Sequence, residues 1–263
     1  MKRRKFFTAA GMATAMMPFS GFAGTKKKDE DRRFIELIKY QLNVGPERGR
    51  VENFYEKVAI PVLNDMGGGP VGVFRVKYGY NQPSLYVMIE HDSIESFSTL
   101  YDKLMSNDTF WKDGEDFLNA PLSNPAYVRI EKTLFRAFTE LPSIEVPTAK
   151  LDNPGRIYEM RIYESHNLKA AKKKIDMFNE GGEIAIFKET GLNPVFFGET
   201  LAGQMMPNLT YMLVFDNMEE RDNNWKIFVD HPDWRSLSKD PQYADTVSNI
   251  TDIILSPAPF SQV

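Results

Sequence analysis

Residues 157–163 read IYEMRIY, and their side chains alternate in character: Tyr158, Met160 and Ile162 fall on one face, Glu159, Arg161 and Tyr163 on the other. A period of two predicts a β-strand. From Leu168 the period lengthens, and Leu168, Ala171, Ile175 and Phe178 form one stripe, which predicts a helix. Gly181-Gly182 loosens that pattern, and Gly191 stands where a left-handed C-cap would end it. Residues 194–200 and 209–215 then read as two strands joined by the loop LAGQMMPN. Asp216 is expected to N-cap a second helix, with Met218, Trp225 and Phe228 on its inner face. A last strand is expected over 247–255.

The same order of elements stands earlier in the chain. Strands are expected over 34–40, 71–77, 85–90 and 126–138. Val51, Phe54, Val58 and Leu63 mark one helix, which contains Pro61, and Ile94, Phe97, Tyr101 and Leu104 mark the next. PSLYVMIEHDSIES begins at Pro83 and PNLTYMLVFDNMEE at Pro207, an offset of 207 − 83 = 124. Gly67 and Gly191, Phe54 and Phe178, and Tyr101 and Trp225 share that offset; Glu36 with Glu159 and Trp111 with Trp234 share it less one. One shift held over a hundred residues implies a tandem duplication of a whole domain. Strand-helix-strand-strand-helix-strand is the ferredoxin-like unit, a sheet with both helices on one face. The expected fold class is therefore α+β: two ferredoxin-like βαββαβ repeats, at 33–140 and 156–258 with a linker at 141–155, packing sheet to sheet as an intrachain barrel.

A site in such a molecule is expected in the shared interior. Glu159, Arg161 and Tyr163 are assigned to that interior as the polar face of their strand, with Glu36 and Tyr40 as counterparts in the first repeat, where Ile38 replaces the arginine. A carboxylate beside a guanidinium suits a hydrogen-bonding ligand; a structural ion pair uses the same residues. The stretch VDHPDW, 229–234, looks more like chemistry, but its counterpart MSNDTFW shares only the tryptophan. Trp111 and Trp234 are therefore expected to be packing anchors, and His231-Pro232 a turn.

YEMRIY, a long helix ending at Gly191, a hairpin and MLVFDNMEERDNNW together resemble the NIPSNAP family, well over 156–256 and more weakly over 33–138. The resemblance implies the dimeric α+β barrel fold and no single reaction, since related barrels include cofactor-free monooxygenases, haem-degrading enzymes and proteins that only bind. Relatives carry His and Trp in the third strand where this chain has Tyr211 and Leu213, so a role those positions have in relatives does not carry over to this chain; Tyr211 is expected as a further residue of the cavity wall. The function expected is binding of a small, largely apolar ligand between the two repeats. The alternatives are a cofactor-light oxygenase or isomerase and a non-catalytic interaction protein.

Charge and composition narrow the partners. A net charge of −4 with signs mixed along the chain argues against a nucleic-acid surface. The absence of cysteine removes disulfides, thiolate metal sites and cysteine nucleophiles. His91, His166 and His231 stand in no ligand spacing, so no metal site is expected, and no cofactor. Gly67-Gly68-Gly69-Pro70 follows a helix and lacks the lysine of a phosphate loop. The partner expected is a small molecule, with a second copy of the chain as the other candidate. Finally, MKRRKFFTAAGMATAMMPFSGFAG has the basic, apolar and small-residue parts of an export signal over 1–23, and Arg3-Arg4-Lys5-Phe6-Phe7 resembles the twin-arginine motif. A charged linker follows over 24–32. A bacterial periplasmic or secreted chain with no membrane span after signal removal is expected.

Overall fold

The computed structural model describes residues 31–79 and 82–263. The expected signal, and all of its linker except Asp31 and Arg32, lie outside them. Eight strands close into one antiparallel barrel: β1 (Phe34–Gln41), β2 (Val71–Tyr78), β3 (Ser84–His91), β4 (Arg129–Ala137), β5 (Ile157–Glu164), β6 (Asn193–Ala202), β7 (Asn208–Phe215) and β8 (Asn249–Pro257). The first four run in the spatial order β4-β1-β3-β2, and the second four repeat it as β8-β5-β7-β6. Two antiparallel seams, β2–β8 and β4–β6, join the halves. Closure satisfies the edge strands of both sheets. At the second seam a Cβ on Gly198 would sit 2.6 Å from the Cβ of Phe135, so only glycine lets β6 come this close.

Helices cover the outside. In the first half these are α1 (Glu47–Phe54), α2 (Ile60–Asp65), α3 (Ile94–Met105), α4 (Asp108–Asp113) and α5 (Glu115–Leu118). A π-helical turn at Tyr55–Ala59 links α1 to α2, just ahead of Pro61, whose ring nitrogen cannot donate to the preceding turn. The second half has α6 (Leu168–Phe178), α7 (Glu183–Glu189), α8 (Met218–Asp230) and α9 (Pro232–Leu237). Gly67 (φ 77°) and Gly191 (φ 78°), 124 positions apart, both take the left-handed conformation ahead of β2 and β6. The cap of α8 is Asn217, whose side chain accepts the Glu220 amide at 2.9 Å; Asp216, the expected cap, instead pairs with Lys150 at 2.8 Å. Asn217 answers Ser93, which caps α3 in the first half.

Strand alternation divides the core into three. Inside the barrel, Ile35, Leu37, Tyr158, Met160, Met212 and Leu255, among others, form one cluster drawn from every strand. Outside it, one cluster lies under each half's helices. The second-half layer is dominated by rings: Phe178 touches Phe138, Tyr163, Phe187, Phe197 and Tyr211. Burying one such ring contributes about 2–3 kcal/mol. One end of the barrel is plugged by Val263 and Ile144, which join the interior cluster. The tail is held by the Gln262 amide on Val71 O (3.0 Å), and the linker by the Glu145 amide on Val195 O (2.8 Å). Among the described residues no helix is long and apolar enough to cross a membrane.

The two tryptophan anchors divide. Trp234 packs on Phe228 at 4.5 Å between ring centroids. Trp111 is 41% exposed, with its indole N–H donating to Met105 O. Its neighbour Phe110 turns inward instead and packs on Phe54. A helix presents adjacent residues about 100° apart, so TFW could bury only one of its two rings.

Candidate functional site

The plugged end leaves a barrel that opens the other way. From that mouth a cavity of about 640 Å³ runs inward. Its deeper wall is apolar, with Leu37, Phe135, Met160 and Ile253. Farther out, Ile162 is flanked across the sheet by Thr210 and Thr251, and Tyr86 stands beside Lys39. At the mouth Lys39 donates to Glu131 at 2.8 Å, Gln41 to the other oxygen of Glu131 at 2.6 Å, and Asn249 to Glu164 at 2.7 Å. Gln204 and Met205, from the β6–β7 loop, complete the rim. Successive inward side chains on one strand are about 6.6 Å apart, so the passage from hydrocarbon to ion pair takes two steps of the pleat. Desolvation pushes the Tyr86 phenol far above its ordinary pKa, with the Glu131 charge adding to it, so Tyr86 is a neutral hydroxyl at any physiological pH.

The residues expected to line this chamber are elsewhere. Glu36, Tyr40, Glu159, Arg161, Tyr163 and Tyr211 all lie on the opposite face of their strands, between the barrel wall and the helices. The alternation was read correctly and the faces were exchanged. The physical reason is that α8 supplies partners that the strand sequence does not reveal. Glu159, with no exposed surface, accepts from Arg221 (Nη2 at 2.6 Å, Nε at 3.1 Å), Trp225 Nε1 at 2.6 Å and Arg161 at 3.0 Å. Arg161 lies 4.7 Å from the centre of the Trp225 ring, and Asp252 approaches both guanidiniums. Meanwhile Tyr158, Met160 and Ile162 face the barrel interior, Tyr158 within its packed cluster and Met160 and Ile162 on the chamber wall.

Burial opposes ionisation of Glu159, but its bonds from Arg221 and Trp225 and the two positive charges outweigh it, and its pKa is lowered. Asp252 is pushed up to about 6 by desolvation and by the neighbouring charge of Glu159, against the pull of the two arginines. In the first half the same position is simpler. Glu36 hydrogen-bonds His91 at 3.1 Å and forms an ion pair with Lys132 at 2.6 Å, and Phe97 stands where α8 carries Arg221, edge-on to His91. Tyr40 and Tyr163 each share a hydroxyl–hydroxyl bond, with Tyr55 at 2.8 Å and Tyr211 at 2.9 Å.

His166 is exposed, and His231 caps α9 by accepting the Asp233 amide at 3.3 Å. The described residues bring Glu189, His231 and Asp233 together at the surface, with one ligand atom of each within 4.8 Å of the others. Lys39, Gln41, Glu131 and Glu164, which form the mouth, carry no signal of that role in the sequence. FIELIKYQ places Leu37, Lys39 and Gln41 on one face and Glu36, Ile38 and Tyr40 on the other, and both faces are mixed, so the pattern alone could not choose between them.

Residues 158–262, which are 105 of the 263 in the chain, match the family model NIPSNAP. No curated protein matches. Among solved structures, a putative monooxygenase from Lactobacillus acidophilus NCFM is similar with a TM-score of 0.58 and 9% identity, over 86% of this chain and 94% of that one. A second putative monooxygenase, from Fusobacterium nucleatum subsp. nucleatum, gives 0.55 and 9% over 86% and 92%. An uncharacterised NIPSNAP-like domain protein from Burkholderia xenovorans is 23% identical over 41% of this chain and 90% of that one, with a TM-score of 0.37. At these identities the likeness to the two longer structures is one of fold.

Proposed function

We propose that this is an exported, tandemly duplicated NIPSNAP-type protein that binds a small, largely apolar ligand inside its barrel. The observation that carries the reading is the chamber itself, apolar within and polar at the mouth, of a size that encloses a drug-sized molecule. The repeated strand order, the paired left-handed glycines and the paired caps Ser93 and Asn217 support the duplication into two ferredoxin-like repeats. The NIPSNAP match over 158–262 supports the family, and the basic, apolar and small-residue order of 1–23 supports export. Mass spectrometry of the protein from the bacterial envelope should find a chain starting near Gly24; a chain retaining Met1 would sink the export reading.

Occupancy is tested with the neutral fluorescent probe N-phenyl-1-naphthylamine. The protein should bind it, and Ile162→Trp, which places an indole in the chamber, should weaken binding at least tenfold. Undiminished binding by that variant would place the probe elsewhere and overturn the reading. One observation favours an oxygenase or isomerase instead: Asp252, with its pKa near 6, stands beside Arg161 in the sheet–helix layer. Ile162→Trp acts on the other face of β5, so turnover that survives it would assign the chemistry to that layer.

A further inference from the structure

Between the hydrocarbon wall and the ion-paired mouth, the chamber carries four hydroxyls from four strands: Tyr86, Thr133, Thr210 and Thr251. None of the four makes a hydrogen bond among the described residues, although their neighbours Asn208 and Thr200 bond each other at 2.5 Å. None of the four is among the buried atoms left without a partner, so each oxygen opens onto the chamber and is available to a ligand. The mouth offers no free cation among its described lining residues. Lys39 is neutralised by Glu131, whose second oxygen is taken by Gln41, and Glu164 accepts from Asn249. A carboxylate drawn down to the hydroxyls would shed its water and meet no free cation, while an ammonium would be held at the rim by Glu164, one step of the pleat, about 6.6 Å, short of them.

We infer that the ligand of this chamber is an uncharged amphiphile, with a hydrocarbon body on the apolar wall and a neutral oxygen group, an alcohol, ketone or phenol, held by the hydroxyls of Tyr86, Thr210 and Thr251. This deepens the proposed binding function and rests on it. Tyr86 donates to a carbonyl or hydroxyl oxygen, and the threonines, able to donate or accept, turn to complete the partner's bonds. The threonines flank Ile162 on β7 and β8, while Tyr86 comes from β3, so each half supplies part of the recognition.

The test is displacement of N-phenyl-1-naphthylamine at pH 7 by four ten-carbon amphiphiles: decan-1-ol, decan-2-one, decanoate and decylammonium. The alcohol and the ketone should displace at concentrations at least tenfold below those of the two ions. Tyr86→Phe and Thr210→Val should each lower decanol affinity about tenfold more than they lower affinity for the probe. Equal or better displacement by either ion overturns the inference, and so does a decanol-to-probe ratio unmoved in the double variant. If Ile162→Trp leaves probe binding intact, the binding function fails and this inference with it. If that variant abolishes probe binding while head-group selectivity is absent, the inference alone fails.

Discussion

Replacing Glu159 by Ala should destabilise the protein by roughly 3–5 kcal/mol, the range found when one partner of a buried ion pair is removed. For a chain of this size that is a fall in Tm of roughly 10 °C. The expectation rests on what the carboxylate compensates. Arg161 and Arg221 are mostly buried beside it, and the Trp225 indole N–H has no other bond among the described residues. Asp252, half exposed, is the anion that remains. Glu36→Ala is the internal control and should cost less, about 1–2 kcal/mol, because Lys132 is 53% exposed and can turn to water. Differential scanning calorimetry of both variants checks the ranking; equal losses would mean that the network around Glu159 adds nothing.

The pH dependence of the Glu159 effect has a definite sign. The folded-state pKa of Glu159 is depressed, so its contribution is present above its unfolded value and is lost as pH falls through the folded one. The deficit of Glu159→Ala should therefore be full at pH 7 and shrink in acid. Asp252 runs the other way. Its raised pKa means the folded state holds that proton more tightly, so stability falls as pH rises from about 4 to about 6. Because the charge of Glu159 helps raise it, the Asp252 step should move down from about 6 in the variant, which carboxyl-detected NMR titration would follow.

Much of this fold was legible in the sequence because alternation and repetition are local signals. Tyr158, Met160 and Ile162 against Glu159, Arg161 and Tyr163 gave a strand at once, and a shift of 124 gave the order of every later element. What the pattern could not supply was which face goes inward. A polar face is assigned to solvent or to a chamber by default, yet here the polar face of β5 is the one α8 covers. Arg221 lies 62 residues from Glu159 in the chain, and nothing near Glu159 points to it. The chamber itself was harder still to read. Lys39, Glu131 and Glu164 sit at strand ends, where a charged side chain reads as the edge of an element, and their common mouth exists only once two seams have closed. Asn217 displaced Asp216 as a cap for a smaller reason: Lys150 competes for the Asp216 carboxylate from the linker.

Those seams also decide how the molecule should unfold. Phe54 and Phe178, 124 positions apart, hold matching places between helix and barrel wall in the two halves. Phe178 has ring contacts on five sides, and Phe54 stacks on Phe117 at 4.1 Å with Tyr55 and Phe110 edge-on. Truncating either to Ala removes a buried ring and leaves a cavity in a layer of other rings, at a cost of about 3–5 kcal/mol. The two sites share no contact, so the losses should add. If the halves were independent domains, Phe178→Ala would move only the transition of its own half in urea. The barrel argues otherwise, since unfolding one half strips both edge strands of the other and opens the common interior cluster to water. One transition is therefore expected, with circular dichroism and tryptophan fluorescence coinciding although all three tryptophans lie in the helices. Phe54→Ala, made in the half that holds only Trp111, should shift the fluorescence of Trp225 and Trp234 as far as Phe178→Ala does. A biphasic curve, or a Phe54→Ala variant in which the signal of Trp225 and Trp234 keeps its original midpoint, would show that the seams do not couple the halves, and a chamber built from both could then open without unfolding either.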